Sequence, residues 1–330
     1  MLRQHKLQAI SIVIGAGYGL LMRGLLFFRN TSQHVSAIFW VMSVAFVIVV
    51  PYTMGYLTVA VPARKGRVGI AQRIFAPWLT VLLVLGGCIL TAWEGTICVV
   101  MMAPIALLLG SLGGLTAAAL VDPANPALAI SSMVLLALLP FVVGWTESKI
   151  TLAPDVRTVE SETVIHASPE VVWRNIERVP AIVPGELPKA WNRTIGFPRP
   201  VEATLSHEGV GGVRHATFSG NVLFIETIDT WEPGRNLGFS IRADADDIPS
   251  TTMDDHVRVG GPYFDVLRGE YVLEAAGDGA TRLRLISRHK VATDFNWYAH
   301  LWTDAVMRDV QRSILYVIKN RCENSAVASN

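Results

Sequence analysis

The residues best suited to chemistry stand together at positions 251–256, where the chain reads Thr-Thr-Met-Asp-Asp-His. A carboxylate beside an imidazole can orient the ring and hold its proton near neutral pH, which general acid–base catalysis requires. Asp255 and His256 are therefore candidate catalytic residues. A solvated loop or hydrogen bonding at the mouth of a pocket is the alternative. A metal site would need a turn here, because adjacent residues of an extended chain point to opposite sides.

A third catalytic candidate is Glu226, which interrupts the apolar run 223–228. A buried carboxylate must find a donor or lose its charge, and Arg214 or Arg242 on neighbouring predicted strands can supply one. We predict a structural ion pair, with a ligand-orienting or acid–base role for Glu226 as the alternative. His215 follows Arg214 on the same strand, so one of the two faces inward. We predict that His215 hydrogen-bonds in a pocket, with a catalytic role as the alternative.

These residues lie in a region of predicted strands that ends in one long helix. Alternating patterns predict a strand at 159–166, one or two helices, and further strands within 201–207, 213–220, 222–231, 237–242, 263–275 and 281–291. From residue 296 to 321, apolar residues recur at three- and four-residue steps, whereas other faces carry Asp304, Arg308, Asp309, Arg312 and Lys319. A curved antiparallel sheet is the natural partner of such a helix.

Several aromatic and histidine residues of this region are predicted to contact a ligand between helix and sheet: His215, Phe224, Tyr263, Phe264, His300 and Trp302. Ordinary core packing is the alternative, because an aromatic stripe at helical spacing is typical of a core. The sequence has no nucleophile elbow, phosphate loop, zinc motif or dinucleotide fingerprint. It therefore predicts neither a metal nor a cofactor.

The first half of the chain has a different composition. Apolar residues make up 51% of the chain and the mean hydropathy is +0.40, and most of this excess precedes Trp145. Five runs are about long enough to cross a bilayer: 7–28, 35–61, 74–92, 96–120 and 127–145. We predict an integral, multi-pass membrane protein. With 28 Lys+Arg against 27 Asp+Glu, no basic surface points to a nucleic-acid partner.

Charged and small residues add detail to this membrane region. The basic cluster at 64–73 is predicted to be cytoplasmic, which after five spans places the C-terminal half outside the cytoplasm. Arg23 is expected to extend its long side chain to the membrane surface. Gly15 with Gly19, and Gly110 with Gly114, fit the spacing of closely packed helices.

Residues 161–173, Ser-Glu-Thr-Val-Ile-His-Ala-Ser-Pro-Glu-Val-Val-Trp, resemble the opening signature of the START-type helix-grip superfamily (SRPBCC), which includes polyketide cyclase/dehydrase-like proteins. The segments 212–214 and 231–234, with Glu226, also resemble it. The resemblance covers about 159–323. It implies an α+β helix-grip domain, a curved antiparallel sheet around the long C-terminal helix, with a deep and mostly apolar cavity between them. The superfamily hosts carriers, receptors and enzymes, so function is left open.

These observations predict an all-α bundle of about five transmembrane helices over 1–147, a linker over 148–158, a helix-grip domain over 159–323 and a disordered tail over 324–330. The expected function is membrane-tethered binding or transfer of a hydrophobic small molecule, such as a lipid, an isoprenoid or a polyketide-like compound. Its partners are that ligand and the lipid bilayer. The alternatives are a cyclase or dehydratase that uses the same cavity, and a membrane sensor or assembly factor. The sequence indicates no oligomeric state.

Overall fold

The computed structural model describes residues 2–29, 42–150, 153–244 and 258–328. The chain divides into two units. Unit 1 comprises Met1–Leu152 with the short segment Thr293–Phe295, and unit 2 comprises Ala153–Ala292 with Asn296–Asn330.

Unit 1 consists of helices: α1 (Leu2–Arg29), α2 (Val50–Ala63, preceded by a π-helical turn Ala45–Val49), α3 (Ile70–Leu90), α4 (Thr96–Leu120) and α5 (Pro126–Glu147). Five helical segments in the described part of the chain are long and apolar enough to cross a membrane. That number agrees with the predicted bundle. The beginning of the second predicted span, 35–41, lies outside the described residues.

Glycine lets the backbones of α2 and α4 approach closely. A Cβ atom at Gly55 would lie 1.9 Å from the carbonyl oxygen of Gly110, and one at Gly113 would lie 2.0 Å from that of Tyr52. A Cβ atom at Gly114 would lie 2.2 Å from the carbonyl oxygen of Arg73 on α3. Only glycine fits such contacts, which are a common device of helix packing in membranes. The predicted close packing at Gly110 and Gly114 is confirmed.

Arg23, which was expected to extend its side chain to the membrane surface, is buried within the protein. Its Nε donates to Oε1 of Glu94 at 2.6 Å, and its Nη2 donates to the carbonyl oxygen of Trp93. Both partners belong to the turn between α3 and α4. A carboxylate within reach keeps the guanidinium paired inside the protein, so the side chain does not need to reach water.

Unit 2 is built on one antiparallel sheet of seven strands in the order β1-β7-β6-β5-β4-β3-β2. The strands are β1 (Asp155–Ile165), β2 (Pro200–Leu205), β3 (Val213–Phe218), β4 (Val222–Glu232), β5 (Asn236–Asp244), β6 (Phe264–Ala275) and β7 (Thr281–Val291). The helices are α6 (Pro169–Glu177), α7 (Trp191–Thr194) and α8 (Asn296–Ala328). β1 thus begins inside the predicted linker, and α8 continues through most of the predicted disordered tail.

The core of unit 2 lies between the sheet and the helices α6 and α8. Strand β7 shows why, because its alternate residues Leu283 and Leu285 are buried while their neighbours face outward. Against them pack Leu315 and Ile318 of α8 and Trp173 of α6. The helix-grip architecture predicted for the C-terminal half is therefore confirmed.

Polar side chains of α8 bind the main chain of β1 along the same interface. Gln311 donates from Nε2 to the carbonyl oxygen of Val159 at 3.0 Å and to Oγ of Ser287 at 2.9 Å. Two turns on, Lys319 donates to the carbonyl oxygen of Val164 at 2.8 Å. These bonds fix the position of the helix along the strand, which apolar contacts alone do not do.

We predict that Gly55→Ala destabilises the helical unit by about 1–3 kcal/mol, because the added methyl group forces α2 away from the backbone of α4. The measurement is the apparent Tm of the full-length protein in detergent. The control is Gly86→Ala on α3, where a Cβ atom meets nothing within 4 Å and alanine favours the helix. Equal Tm values for the two variants would show that the α2–α4 contact is looser than described.

Candidate functional site

A buried ion pair stands on the inner face of the sheet. Arg214 of β3 and Glu226 of β4 are directly opposite in the strand register, and Nη1 of Arg214 lies 3.0 Å from Oε2 of Glu226. The side chain of Arg214 is only 3% exposed to solvent, and that of Glu226 is 10% exposed. The predicted ion pair for Glu226 is therefore present. Arg242, the other predicted partner, is exposed.

The surroundings of this pair are aromatic. The guanidinium carbon of Arg214 lies 5.1 Å from the ring centre of Phe239 and 5.9 Å from that of Tyr271, and both rings belong to the main core. Burial raises the pKa of Glu226, and the positive charge of Arg214 opposes that rise. Burial also raises the pKa of Tyr271, to about 12. Arg214 acts against this rise as well, so the Tyr271 hydroxyl is a polar neighbour of the pair.

Part of the hydrogen-bonding capacity of the pair is unused. The N–H groups of Arg214 do not align with the carboxylate, so the contact is an ion pair without an aligned hydrogen bond. Among the described residues, Nε and Nη1 of Arg214 and Oε2 of Glu226 have no hydrogen-bond partner. Buried polar atoms are normally satisfied, so these three atoms retain unused hydrogen-bonding capacity.

A second polar cluster joins β1, β7 and α8. Arg157 donates from Nη2 to Oδ2 of Asp304 at 2.6 Å and from Nε to Oδ1 at 3.1 Å. His289 is fully buried, and its Nε2 lies 3.5 Å from Oδ1 of the same carboxylate. At the rim, Nε2 of His300 lies 3.1 Å from Oδ2 of Asp155. This cluster places a carboxylate and an imidazole together. The sequence analysis expected that arrangement for Asp255 and His256.

Burial and charge shift the pKa values of this cluster in a consistent way. The hydrogen bond from Arg157 lowers the pKa of Asp304. Burial lowers the pKa of His289, although the negative charge of Asp304 acts in the opposite direction. His289 is therefore neutral at pH 7, and neither ring nitrogen has a hydrogen-bond partner within the described part of the chain.

The sequence interpretation missed this cluster because it assigned Asp304 to a solvent-exposed face of the terminal helix. Asp304 is buried against the sheet, with 8% exposure. Two features of the sequence indicated this cluster. Asp304 and Gln311 are seven residues apart, so they share one face of the helix, and His289 is in phase with the apolar residues Leu283 and Leu285 of β7.

The predicted ligand-contacting residues fall in different places. His215 is exposed on the face of β3 opposite to Arg214, so it does not point into the core. Phe224 shares the inner face of β4 with Glu226 and packs edge-on against Phe218, with ring centres 5.2 Å apart. Asp255 and His256 lie outside the described residues.

The remaining predicted residues lie near the start of α8 and the second cluster. Phe264 is half-buried, and its ring centre is 5.7 Å from that of His289. Tyr263 is half-buried beside it in the chain. The His300 side chain keeps 16% of its exposure, and Trp302 is half-buried. Within the described residues, no group of three or more His, Cys, Asp or Glu side chains is arranged to hold a metal ion.

We predict that unit 2 loses stability as the pH falls below about 6.5, the ordinary pKa of histidine. The unfolded chain then binds a proton that buried His289 does not bind, with a slope of up to about 1.4 kcal/mol per pH unit. His289→Gln removes this dependence. The measurement is hydrogen exchange of β1 and α8 between pH 7.5 and 5, expressed as free energies of opening to remove the intrinsic effect of pH.

The control for this experiment is His207→Gln, because His207 is exposed. This variant is expected to keep the pH dependence of the original protein. If the stability of the His289→Gln protein falls with pH as steeply as that of the original protein, the pH dependence comes from other groups. Asp304 also contributes to stability through its charge. This contribution is lost at lower pH, as the carboxylate is protonated near its lowered pKa.

No family model and no curated protein matches the chain. Among solved structures, the Zhui aromatase/cyclase from Streptomyces sp. R1128 is 15% identical over 53% of this chain and 99% of its own, with a TM-score of 0.34. Ara h 8.0201 is 16% identical over 53% and 100%, with a TM-score of 0.32. Norcoclaurine synthase from Thalictrum flavum is 11% identical over 53% and 88%, with a TM-score of 0.33. These values carry no conclusion about function.

Proposed function

We propose that this protein binds a hydrophobic small molecule, of lipid, isoprenoid or polyketide type, inside the helix-grip unit, and that the helical unit holds this binding unit at a membrane. The observation that carries the proposal is the Arg214–Glu226 pair, whose polar atoms remain partly unpartnered among the described residues. The aromatic and aliphatic core around the pair suits an apolar ligand body.

The chemistry of the pair specifies the kind of ligand. A buried polar atom without a partner costs about 1–3 kcal/mol. The unused groups of Arg214 are N–H donors, so they fit an acceptor oxygen such as a carbonyl, carboxylate or hydroxyl. Oε2 of Glu226 fits a hydroxyl donor. We therefore propose a ligand with an apolar body and one oxygen-bearing end placed at this pair.

Membrane tethering supports binding for a physical reason. A hydrophobic ligand partitions into the bilayer, so its concentration is high there and low in water. Five helices of unit 1 have the length and composition to cross a bilayer. A binding unit attached to such helices meets its ligand at a raised effective concentration.

The first test is mass spectrometry of organic extracts from the full-length protein, purified in lipid nanodiscs. We expect a hydrophobic ligand near one equivalent per chain. The variant Arg214→Met/Glu226→Leu replaces the ion pair by apolar groups and avoids leaving one buried charge alone. It is expected to hold an oxygen-bearing ligand roughly 10- to 100-fold more weakly, which corresponds to the loss of a hydrogen bond to a charged group.

The matched control is Arg178→Met/Glu208→Leu. This pair also joins an arginine to a glutamate, but its side chains are 48% and 61% exposed. Normal ligand retention is expected in the control. Equal retention by both variants would contradict the proposed role of the buried pair. A protein that carries no ligand in either form would instead favour a sensor or assembly factor.

A second candidate function, a cyclase or dehydratase, is favoured by one observation. His289 is a neutral, buried imidazole beside the carboxylate of Asp304, and a neutral imidazole can act as a base. In this case, product formation from a polyketide-type substrate is expected to fall by 10²-fold or more in His289→Gln. Ligand retention is expected to stay unchanged. His207→Gln is the control, and unaltered turnover in the His289→Gln protein would exclude His289 as the base.

A further inference from the structure

Five large apolar residues lie together at one end of unit 2 and are called here the aromatic patch. It consists of Trp191 of α7 and of Trp297, Tyr298, Leu301 and Trp302 in the first two turns of α8. The ring centres of Trp191 and Trp302 are 6.3 Å apart, and those of Tyr298 and Trp302 are 6.5 Å apart. The patch is thus one continuous surface built from two elements.

Three members of the patch are exposed, whereas Tyr298 is buried and Trp302 is half-buried. Trp191 is 40% exposed, Trp297 is 59% exposed and Leu301 is 64% exposed. A single exposed apolar residue needs no explanation, but a contiguous exposed group marks an interaction surface. Exposed tryptophan is typical of the membrane–water interface, because it combines an apolar ring with a polar N–H group.

The charges beside the patch suit a lipid headgroup region. Lys189 and Arg193 flank Trp191 in sequence at a distance of two residues on each side. Arg308 lies on an exposed face of α8, less than two turns beyond Leu301. Basic residues next to aromatic ones attract anionic lipid, by about 1 kcal/mol for each cation near the surface.

The connections between the two units are short in sequence. The fifth apolar helix ends at Glu147 and β1 begins at Asp155, so the connection spans less than about 30 Å even when fully extended. Phe295, the residue before α8, belongs to unit 1. The patch begins two residues later, at Trp297.

We propose that the aromatic patch docks on the bilayer surface, with Trp191, Trp297 and Leu301 in the interfacial region and with Lys189 and Arg193 at anionic headgroups. This inference rests on the membrane location in the proposed function and is independent of the ligand. Docking orients unit 2 so that the start of α8 faces the lipid.

The test uses the full-length protein in nanodiscs with a nitroxide spin label at Leu301→Cys. Label collisions with oxygen, which concentrates in lipid, are compared with collisions with a water-soluble nickel chelate. The native cysteines Cys88, Cys98 and Cys322 are buried, and the unlabelled background is measured on the original protein.

Two control positions share the exposure of Leu301 but lie outside the patch. Tyr316 is 45% exposed on the same helix, about 22 Å further along its axis. Val210, which is 66% exposed, lies in the turn between β2 and β3. Each receives the same label through Tyr316→Cys or Val210→Cys.

The expected result is an oxygen-to-nickel collision ratio at position 301 that is several-fold higher than at positions 210 and 316. The ratio is expected to rise with the fraction of anionic lipid and to lose that dependence in Lys189→Glu/Arg193→Glu. Equal, water-like ratios at all three positions would overturn the proposal. Suppressed collisions with both reagents at 301 would also overturn it, because protein then covers the patch.

The extracted ligand is quantified on the same preparations. A patch that stays in water while the protein retains its ligand overturns docking and leaves the binding function intact. A docked patch on a protein that carries no ligand supports docking and contradicts the binding function.

Discussion

The contact between α8 and the strands β1 and β7 determines the shape of unit 2. Apolar residues such as Leu315 and Ile318 supply the favourable burial, but they permit the helix to slide or rotate by small amounts. The bonds of Gln311 to Val159 and Ser287, and the two-fold contact of Arg157 with Asp304, have strict geometry. They therefore define one position of the helix, and every inward-facing residue of the sheet is placed relative to it.

The two charge clusters of unit 2 differ in how completely their atoms are used. Arg157 makes two hydrogen bonds to Asp304, which is the favourable geometry for this pair of side chains. Arg214 faces Glu226 at a similar distance without aligned bonds. A buried ion pair contributes little to stability even when it is well aligned. The poorly aligned pair is thus harder to explain by stability alone and easier to explain by a role in binding.

The sequence was sufficient for the architecture and insufficient for the site. Two-residue alternation in the strands and three- to four-residue spacing in α8 predicted the sheet and the helix, because burial of one face dominates both patterns. Glu226 was found because a charge in an apolar run is conspicuous. Asp304 and His289 were missed because their partners come from β1, β7 and α8, far apart in the chain, and only the fold brings them together. The same limit applies to His215, where either strand face was compatible with the pattern.

Access to buried groups limits both binding and catalysis in this protein. His289 has no exposed surface and lies beside Phe264, and Val266 and Met307 belong to the neighbouring apolar cluster. A general base must come within hydrogen-bonding distance of the proton that it removes, so catalysis at His289 requires these neighbours to move. Arg214 and Glu226 are buried as well, with side chains that are 3% and 10% exposed, and the rings of Phe239 and Tyr271 lie against the guanidinium. Ligand recognition at this pair and catalysis at His289 therefore both depend on movement of the side chains that pack around them.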